Sequence, residues 1–381
     1  MKKWFIVFVS MLTAVILLLA GCGENKSSDV TTTAAISASA HEKALRIAIV
    51  SSGTGIDDGS FVQENYNGIC DFIKEHKGAK VTPVMEQSGD PAAAVDTVSG
   101  IAADYDVVVC AGYQFAGITS VAEKNPDTKF ILVDSFPIDE SGNETSADNI
   151  YAMTFKEEES GFLAGVAAAL STKTNKVAVV NAVVLTSNMN YQYGFMSGVE
   201  YANDTYGTKV QFVQLSEYAG TNSTGYNIGG NYIGSFSDTE RGKEIGKALI
   251  AKGCDVIFVA AGEAGNGVLE AVKESTEEDY IIGADTDRSR DGVAGNMNVV
   301  LTSAVKNMGI NDKRVLESVC DGTFKGGNYV LGADTGSTGY ISAPERCRLS
   351  DDAVKKMDEV MRLITDGKLV IAGPNRDAVG K

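Results

Sequence analysis

Histidine is nearly absent from this chain. Its 381 residues contain two histidines, His41 and His76, and six cysteines that form no CxxC pair. Zinc sites and His-dependent catalytic triads are built from these residue types. The sequence therefore argues against both, and we expect no metal, no cofactor and no catalytic residue.

Positive charge is also scarce. The chain carries 33 Lys and Arg against 50 Asp and Glu, a net charge of −17. An acidic excess of this size repels phosphate backbones and anionic lipid headgroups. We therefore expect no nucleic-acid partner.

Long apolar runs are confined to the N-terminus. Met1, Lys2 and Lys3 precede the apolar run 4–20, and no later segment approaches the roughly eighteen apolar residues of a membrane span. The run ends in Leu-Ala-Gly-Cys at 19–22, which resembles the lipobox of bacterial lipoproteins. We expect residues 1–21 to be a lipoprotein signal peptide and Cys22 to carry the lipid.

The segment after Cys22 is short of large apolar residues. Ser, Thr and Ala dominate residues 23–40, which cannot bury enough surface to fold. The sequence predicts a flexible tether over 22–44 that holds the fold at the extracytoplasmic face of the cell membrane through lipid alone. Cleavage would remove two lysines and no acid, changing the net charge from −17 to −19.

Disulfide bonds are not clearly indicated. An odd number of cysteines remains after Cys22, which argues against a complete disulfide framework. A bridge between Cys320 and Cys347 stays open only because the two are close in sequence. The five remaining cysteines are Cys70, Cys110, Cys254, Cys320 and Cys347.

Apolar β-branched segments alternate with amphipathic ones in two successive runs. The predicted strands are 45–52, 81–85, 106–111, 130–133, 149–155, 176–183, 210–215, 254–261, 280–283 and 299–303. The predicted helices are 61–76, 91–103, 113–124, 157–170, 189–206, 239–252, 265–275 and 306–320. Two such runs predict an α/β fold of two Rossmann-like three-layer lobes joined by a multi-crossover hinge, and argue against a single barrel.

The helix over 157–170 and the segment near residue 300 are predicted to cross between the lobes. We expect one lobe to comprise 45–152 with 303–322, and the other to comprise 153–302 with 323–381. The end of the chain is predicted to be a Gly-rich extended tail. One segment, 216–231, breaks the rhythm with Gly, Asn, Thr and Tyr, and is interpreted as a surface loop without function.

Candidate site residues follow the predicted strands, because ligands of open α/β sheets bind at the carboxyl ends of strands. After the first strand, SSGTGIDDGSF at 51–61 has neither the lysine of a P-loop nor GxGxxG spacing. Its two adjacent carboxylates would repel a phosphate. Asp57 and the nearby Phe61 instead suit a neutral ligand with sugar hydroxyls and a planar ring.

The same residue types recur at later strand ends. Asp134 and Asp285 end apolar strands, Phe258 lies on one, and Lys306 follows the strand at the predicted hinge. Alone, each has an ordinary explanation as a helix cap, a core residue or a solvated charge. Their common position at strand ends favours a binding site.

These segments also resemble the basic membrane protein family of lipoproteins. The matching motifs are DDGSF at 57–61, FKEEESGFLAGVAAAL at 155–170, TNKVAVV at 174–180, GSFSD at 234–238, GKALIAKGCDVIFVAAG ending at 262, GADTD at 283–287 and LTSAVK at 301–306. The resemblance spans residues 47 to about 373. It implies a type I periplasmic-binding-protein fold and the purine-nucleoside-binding component of an ABC importer.

The resemblance also implies roles for individual residues. Phe61 would stack on the purine, with Phe258 as the opposite wall and Phe236 as the alternative wall. Asp134 and Asp285 would hold the ribose hydroxyls beside Lys306. Further contacts would come from Asp57, which would reach the base or sugar, and from Gly262, which would permit close backbone approach. The chain departs from the family pattern at Ser52, where Asp is usual, and at Val62, where Asn is usual.

The leading hypothesis is a monomeric, lipid-anchored receptor that closes its lobes around a nucleoside and delivers it to an ABC permease. A receptor of the same fold for a sugar or a signalling molecule is the alternative. A nucleoside hydrolase is less favoured, because Asp57 and Asp58 are not part of the DxDxxxDD run that a calcium-dependent enzyme would use.

Overall fold

The computed structural model describes residues 44–374. The predicted signal peptide, Cys22 and all but the last residue of the predicted tether lie outside this range. Among the described residues, no helix has both the length and the hydropathy that a membrane crossing requires.

The first part of the chain alternates strands and helices closely as predicted. Its elements are β1 Arg46–Ser52, α1 Phe61–Glu75, β2 Lys80–Glu86, α2 Pro91–Ile101, β3 Val107–Ala111, α3 Thr119–Lys124, β4 Lys129–Val133 and β5 Ile150–Phe155. The helix predicted over 113–124 is divided, since a 3₁₀ segment Tyr113–Ile118 precedes α3. Asp90 caps α2 by accepting a hydrogen bond from the Ala93 amide.

The second part repeats the pattern. Its elements are α4 Glu157–Ser171, β6 Lys176–Asn181, α5 Thr186–Tyr206, β7 Gln211–Phe212, β8 Gly220–Thr221, β9 Asn227–Gly229, α6 Thr239–Ala251, β10 Val256–Ala260, α7 Gly265–Lys273, β11 Tyr280–Asp285, β12 Val293–Ala294, β13 Met297–Asn298 and β14 Val300–Lys306. The chain then returns through α8 Met308–Cys320, β15 Gly327–Leu331, β16 Thr338–Tyr340 and α9 Asp351–Thr365.

Two six-stranded sheets organise the fold. The first has the order β15-β5-β4-β3-β1-β2 and defines lobe 1, and the second has the order β16-β14-β11-β10-β6-β7 and defines lobe 2. All pairs in these sheets are parallel except β14 with β16. The prediction of an α/β fold with two three-layer lobes is confirmed.

The chain passes between the lobes three times among the described residues, at 155–157, 306–308 and 331–338. These crossings differ from the expected boundaries. β5 belongs wholly to lobe 1 and β14 wholly to lobe 2, which moves the first two boundaries a few residues later. Residues 327–331 form β15 of lobe 1, whereas the expected lobe 2 began at 323. β15 is an edge strand that pairs with β5, and only the tertiary structure determines this pairing.

The prediction of an extended C-terminal tail is wrong for residues 351–365. They form α9, which Ser350 caps by accepting a hydrogen bond from the Ala353 amide. The helix buries Ala353, Met357, Val360 and Ile364 in the lobe 2 core, where it packs against α4. Spacings of four, three and four residues are those of a one-sided amphipathic helix, so the signal was present in the sequence.

Helices α4 and α5 approach each other unusually closely. Gly161 and Gly165 of α4 face the α5 backbone, and Gly194 and Gly198 of α5 face the α4 backbone. A Cβ atom at any of the four would lie well under 3.0 Å from a backbone oxygen of the other helix. Glycine is therefore required at these positions by contact rather than by backbone angle.

A Cys320 to Cys347 bridge does not form, because Cys347 is a buried thiol without a disulfide.

Segment 216–231 contains the short hairpin β8–β9, and none of its residues lines the cleft described below. Its last residue, Asn231, is fully buried and bonds to the Leu215 amide and to the Val179 and Val213 carbonyls.

Candidate functional site

The two sheets present the carboxyl ends of their parallel strands to one interlobe cleft. The cleft encloses about 620 Å³, within the range of about 300–1,000 Å³ that is typical of small-molecule sites. Residues at or next to strand ends that line it are Ser52, Ala111, Asp134, Phe155, Ala260, Asp285 and Lys306.

Lys306 lies at the centre of a buried charge cluster. Its Nζ atom is 2.6 Å from Asp134 Oδ2, 3.5 Å from Glu157 Oε1 and 3.8 Å from Asp285 Oδ1. Asp134 comes from lobe 1, whereas Lys306 and the other two carboxylates come from lobe 2. Since the Lys306 side chain is only 2% exposed, this ammonium group joins the lobes where water screens it little.

Asp134 and Asp285 have matching backbone conformations in the two lobes. Asp134 directly follows β4 and Asp285 ends β11, and both have positive φ, 63° and 66° respectively. Non-glycine residues adopt the left-handed region at a cost of about 1–3 kcal/mol, often at functional sites. Asp134 Oδ1 is also buried without a protein partner.

Two side chains of α5 in lobe 2 orient the cluster. Tyr191 Oη on α5 donates to Asp285 Oδ1 at 2.7 Å, and Asn190 Nδ2 donates to Glu157 Oε2 at 3.0 Å. Neither residue is recognisable from the sequence, because both lie within the predicted helix 189–206 and not at a strand end. The one local signal was the acidic turn EEE at 157–159, which opens an otherwise apolar helix.

Burial and neighbouring charge set the ionisation of the cluster. Burial raises the pKa of Glu157 to about 7, opposed by the Lys306 charge and assisted by that of Asp134. Burial likewise raises the pKa of Asp134, against the attraction of Lys306. Burial alone would lower the pKa of Lys306, but the three carboxylates outweigh it and raise that pKa. The lysine therefore stays charged while Glu157 titrates near neutrality.

The unliganded protein is expected to lose stability as pH rises, partly through Glu157. Folding raises the pKa of this residue from 4.5 to about 7, so the folded protein holds a proton that the unfolded chain has released. This contribution is fully present below pH 4.5 and is lost as pH rises through 7. Glu157→Gln should show a smaller fall in Tm between pH 5 and 8, measured by scanning calorimetry. Glu123→Gln, at an exposed position, is the control. An equal fall in Tm in wild type and in Glu157→Gln would contradict the assignment of this pH dependence to Glu157.

Aromatic rings line the cleft from both lobes. Phe61 opens α1 of lobe 1, and Phe236 lies in the loop before α6 of lobe 2. The Lys306 Nζ atom lies 5.2 Å from the centroid of the Phe61 ring, within cation–π distance. Gly262 also lines the cleft, and a Cβ atom there would lie 3.3 Å from Phe236 Cδ1. Both lobes thus contribute aromatic rings to the cleft.

Two of the residues expected in the site lie elsewhere. Phe258 is fully buried behind the sheet, 5.8 Å between ring centroids from Phe195 and 5.5 Å from Tyr191. It packs against Tyr191 and does not line the cleft, whereas Phe236 does. Asp57 is exposed and does not line the cleft.

The neighbouring Asp58 lines the cleft in place of Asp57, but its oxygens already serve α1. Oδ1 accepts hydrogen bonds from the Ser60 and Gln63 amides at 3.0 Å each, and Oδ2 accepts one from the Val62 amide at 3.0 Å. This carboxylate therefore fixes the start of the helix that carries Phe61.

Negative charge dominates the cleft wall. Lys306 is the one basic residue among the described residues that line it. The acidic residues are Asp58, Asp134, Glu144, Glu157, Glu158, Glu263 and Asp285. A phosphate group would meet repulsion from most of this wall.

Two α/β lobes, three crossings and a cleft between strand ends define a type I periplasmic-binding-protein-like fold. Solved structures agree on this fold. A solute-binding protein of an ABC transporter system from Aeropyrum pernix is 21% identical, with a TM-score of 0.71 over 87% of this chain and 95% of that one. The arabinose-binding protein AraP of Geobacillus stearothermophilus is 17% identical, with a TM-score of 0.53 over 82% and 99%.

The chain belongs to the Bmp family, described as ABC transporter substrate-binding protein PnrA-like, whose model matches residues 44–371. The expected family is thereby confirmed, and with it a substrate-binding rather than an enzymatic role. This sets the hydrolase alternative aside.

Relatives in the family cover nearly the whole chain. The ABC transporter nucleoside-binding protein BmpA of Lactococcus lactis is 29% identical over 97% of this chain and 99% of its own length. The CD4+ T-cell-stimulating antigen of Listeria monocytogenes is 29% identical over 97% and 98%. Basic membrane protein A of Borreliella burgdorferi is 28% identical over 86% and 87%.

Proposed function

We propose that this substrate-binding protein captures a nucleoside, with a purine as the base, in the cleft between its lobes. The observation that carries the proposal is the pairing of two aromatic walls, Phe61 and Phe236, with the buried cluster around Lys306. A planar base fits between two rings, where offset stacking adds to the burial of apolar area. Ribose hydroxyls fit the carboxylates, which accept hydrogen bonds in bidentate fashion.

Asp134 and Asp285 are the proposed ribose ligands. Their positive φ angles turn both side chains toward the ammonium group of Lys306. The carboxylate oxygens are therefore oriented before a ligand enters. Lys306 balances the negative charge of the carboxylates and offers donors, while Gly262 lets the backbone approach the ligand beside Phe236. The relative BmpA of Lactococcus lactis, named a nucleoside-binding protein, supports this ligand class.

The acidic wall of the cleft favours a nucleoside over a nucleotide. A 5′-phosphate would bring about two negative charges to a surface whose single described cation is already surrounded by three carboxylates. We therefore expect a nucleoside to bind while its monophosphate does not.

A panel of ligands tests the proposal by isothermal titration calorimetry and thermal shift. The panel contains inosine, guanosine, adenosine, uridine, ribose, arabinose and inosine monophosphate. Purine nucleosides should bind and raise Tm, since a ligand at 100 times its Kd stabilises the folded state by about 2.7 kcal/mol. Binding of arabinose or ribose alone would establish the sugar-receptor alternative, and no response to any nucleoside would refute the proposal.

Loss of either aromatic wall should weaken nucleoside binding. Phe61→Ala and Phe236→Ala are each expected to cost about 1–3 kcal/mol of binding free energy, because each removes one stacking surface. Affinities measured by calorimetry at 25 °C provide the test. Phe324→Ala removes a ring of lobe 1 that does not line the cleft, and it should leave affinity unchanged. If Phe236→Ala binds like wild type, the sandwich is not formed.

Delivery to a permease by hinge closure, from a lipid anchor on the extracytoplasmic face, completes the proposed function. The anchor rests on the Leu-Ala-Gly-Cys motif at 19–22. Two acyl chains suffice for stable membrane attachment.

Cys22→Ser should release the protein from membranes into the medium or the periplasm, because the thiol that receives the lipid is absent. Fractionation of cells expressing the full chain checks this, with Cys70→Ser as the matched control that stays attached. Membrane retention of Cys22→Ser would contradict the anchor.

A further inference from the structure

The first turn of α4 contacts all three crossings between the lobes. Lys156, immediately before α4, belongs to the first crossing, and its amide donates to the Leu331 carbonyl at the start of the third, at 2.9 Å. Ser160 Oγ donates to the Val305 carbonyl at the end of β14, next to the second crossing, at 2.9 Å. Ser160 is fully buried, so this hydrogen bond does not compete with water.

Glu159 makes the central contact of this turn. Its Oε2 atom accepts two hydrogen bonds from the third crossing, one from the Ala333 amide at 2.7 Å and one from Thr338 Oγ1 at 2.7 Å. Both Glu159 and Thr338 are buried, with exposures of 7% and 2%. Hydrogen bonds to a buried carboxylate are among the stronger ones in proteins.

The third crossing continues this contact to the ligand site. Thr338 pairs with Lys306 in the β14–β16 register, and the Asn307 amide donates to the Ser337 carbonyl at 2.9 Å. Asn311 of α8, in lobe 1, donates through Nδ2 to Ser337 Oγ at 3.0 Å. A single chain of contacts therefore runs from Glu159 through the third crossing to the residue that holds the charge cluster together.

Glu159 itself does not line the cleft. Its neighbours Glu157 and Glu158 do, so the same helical turn offers one face to the ligand and another to the crossings. Residues two apart on a helix point in different directions, which allows these two roles to be separated by substitution.

We propose that Glu159 is a positioning residue that binds the three crossings into one hinge, so that the lobes move as rigid bodies and Lys306 keeps its place among the carboxylates. The carboxylate acts by accepting two hydrogen bonds on one oxygen. A neutral carbonyl oxygen can accept the same two, whereas a methyl group can accept neither.

Three variants separate this role from simple loss of stability. Glu159→Ala removes both hydrogen bonds, Glu159→Gln can keep both, and Thr338→Val removes one with almost no change of shape. Thr128→Val is the matched control: the Thr128 hydroxyl is buried and donates to the Ala102 and Tyr105 carbonyls within lobe 1, away from the crossings.

The first measurement needs no ligand. Fluorophores attached through azide-bearing residues at exposed positions, Asp96 in α2 of lobe 1 and Lys247 in α6 of lobe 2, report the distribution of lobe separations in the full chain by single-molecule energy transfer. The second measurement is the affinity and dissociation rate of inosine, which depends on the proposed function. Tm is recorded for every variant.

Glu159→Ala should broaden the distribution of lobe separations and weaken inosine binding about tenfold, mainly through faster dissociation. Thr338→Val should show the same change to a smaller degree, and Glu159→Gln should resemble wild type. Thr128→Val should lower Tm without altering either readout. Wild-type lobe separations in both Glu159→Ala and Thr338→Val, with Tm lowered as in Thr128→Val, would overturn the proposal. Failure of wild type to bind any nucleoside of the panel would refute the nucleoside ligand while leaving the lobe-separation result to decide the role of Glu159.

Discussion

Replacing Lys306 by Met is expected to remove about 3–5 kcal/mol from the free energy of unfolding at pH 7.5 and to abolish nucleoside binding. The side chain is 2% exposed and is the cation for three carboxylates within 3.8 Å. Methionine fills a similar volume, so the loss comes from leaving carboxylates of both lobes buried without a counter-charge. A buried charge without a partner carries a large desolvation cost.

Urea denaturation at pH 7.5 and pH 5 measures this effect. The deficit of Lys306→Met should shrink at pH 5, because burial raises the pKa of Glu157 to about 7 and this carboxylate then takes up a proton. Adding Asp134→Asn should restore part of the stability but not ligand binding. Lys313→Met removes a surface lysine paired with Glu75 and should cost less than about 1 kcal/mol. A wild-type unfolding midpoint for Lys306→Met at pH 7.5 would show that the cluster is not buried as described.

Gly165→Ala should destabilise lobe 2 by about 3 kcal/mol or more. An added Cβ at Gly165 would overlap the Phe195 carbonyl oxygen of α5, and it would also lie 3.0 Å from the Val199 amide nitrogen. Backbone atoms cannot rotate away as a side chain can, so α4 and α5 would have to separate and open gaps in the core between them.

Chemical denaturation followed by circular dichroism tests this prediction. Gly100→Ala is the control, because Gly100 lies within α2 with no atom within 4 Å of an added Cβ. There the alanine should stabilise the helix by about 0.5–1 kcal/mol, since glycine loses more backbone entropy on folding. Equal effects of the two substitutions would mean that α4 and α5 do not pack as closely as the structure has them.

Residues at the ends of predicted strands correctly located the cleft. Phe61, Asp134, Asp285 and Lys306 could be placed together because parallel strands carry their carboxyl ends to the same edge of a sheet. Whether they bind a nucleoside is for the ligand panel and the variants to decide. Their shared location follows from the fold alone.

Phe258 and Asp57 were predicted to line the cleft and do not. Phe258 lies in the middle of a strand, VIFVA, that is apolar on both faces, so its ring packs against the helix that covers the sheet and does not reach the cleft at the strand end. Phe236, in a loop, lines the cleft instead. Asp57 and Asp58 are adjacent and chemically identical, and only the start of α1 determines which of them turns inward.

Hydrophobic periodicity and β-branched runs determined from the sequence alone that this chain is an α/β protein of two lobes, because burial on both faces of a parallel sheet leaves a continuous apolar run in each strand. They also located the acidic and basic residues at strand ends. The tertiary structure alone decided that Glu157 and Tyr191 join the charges at the strand ends, which sheet receives β15 and how the crossings are held together. Glu157, Tyr191, Asp285 and Lys306 are separated by up to 149 positions in the numbering, and contact over such distances depends on packing between helices and sheets, which no local pattern encodes.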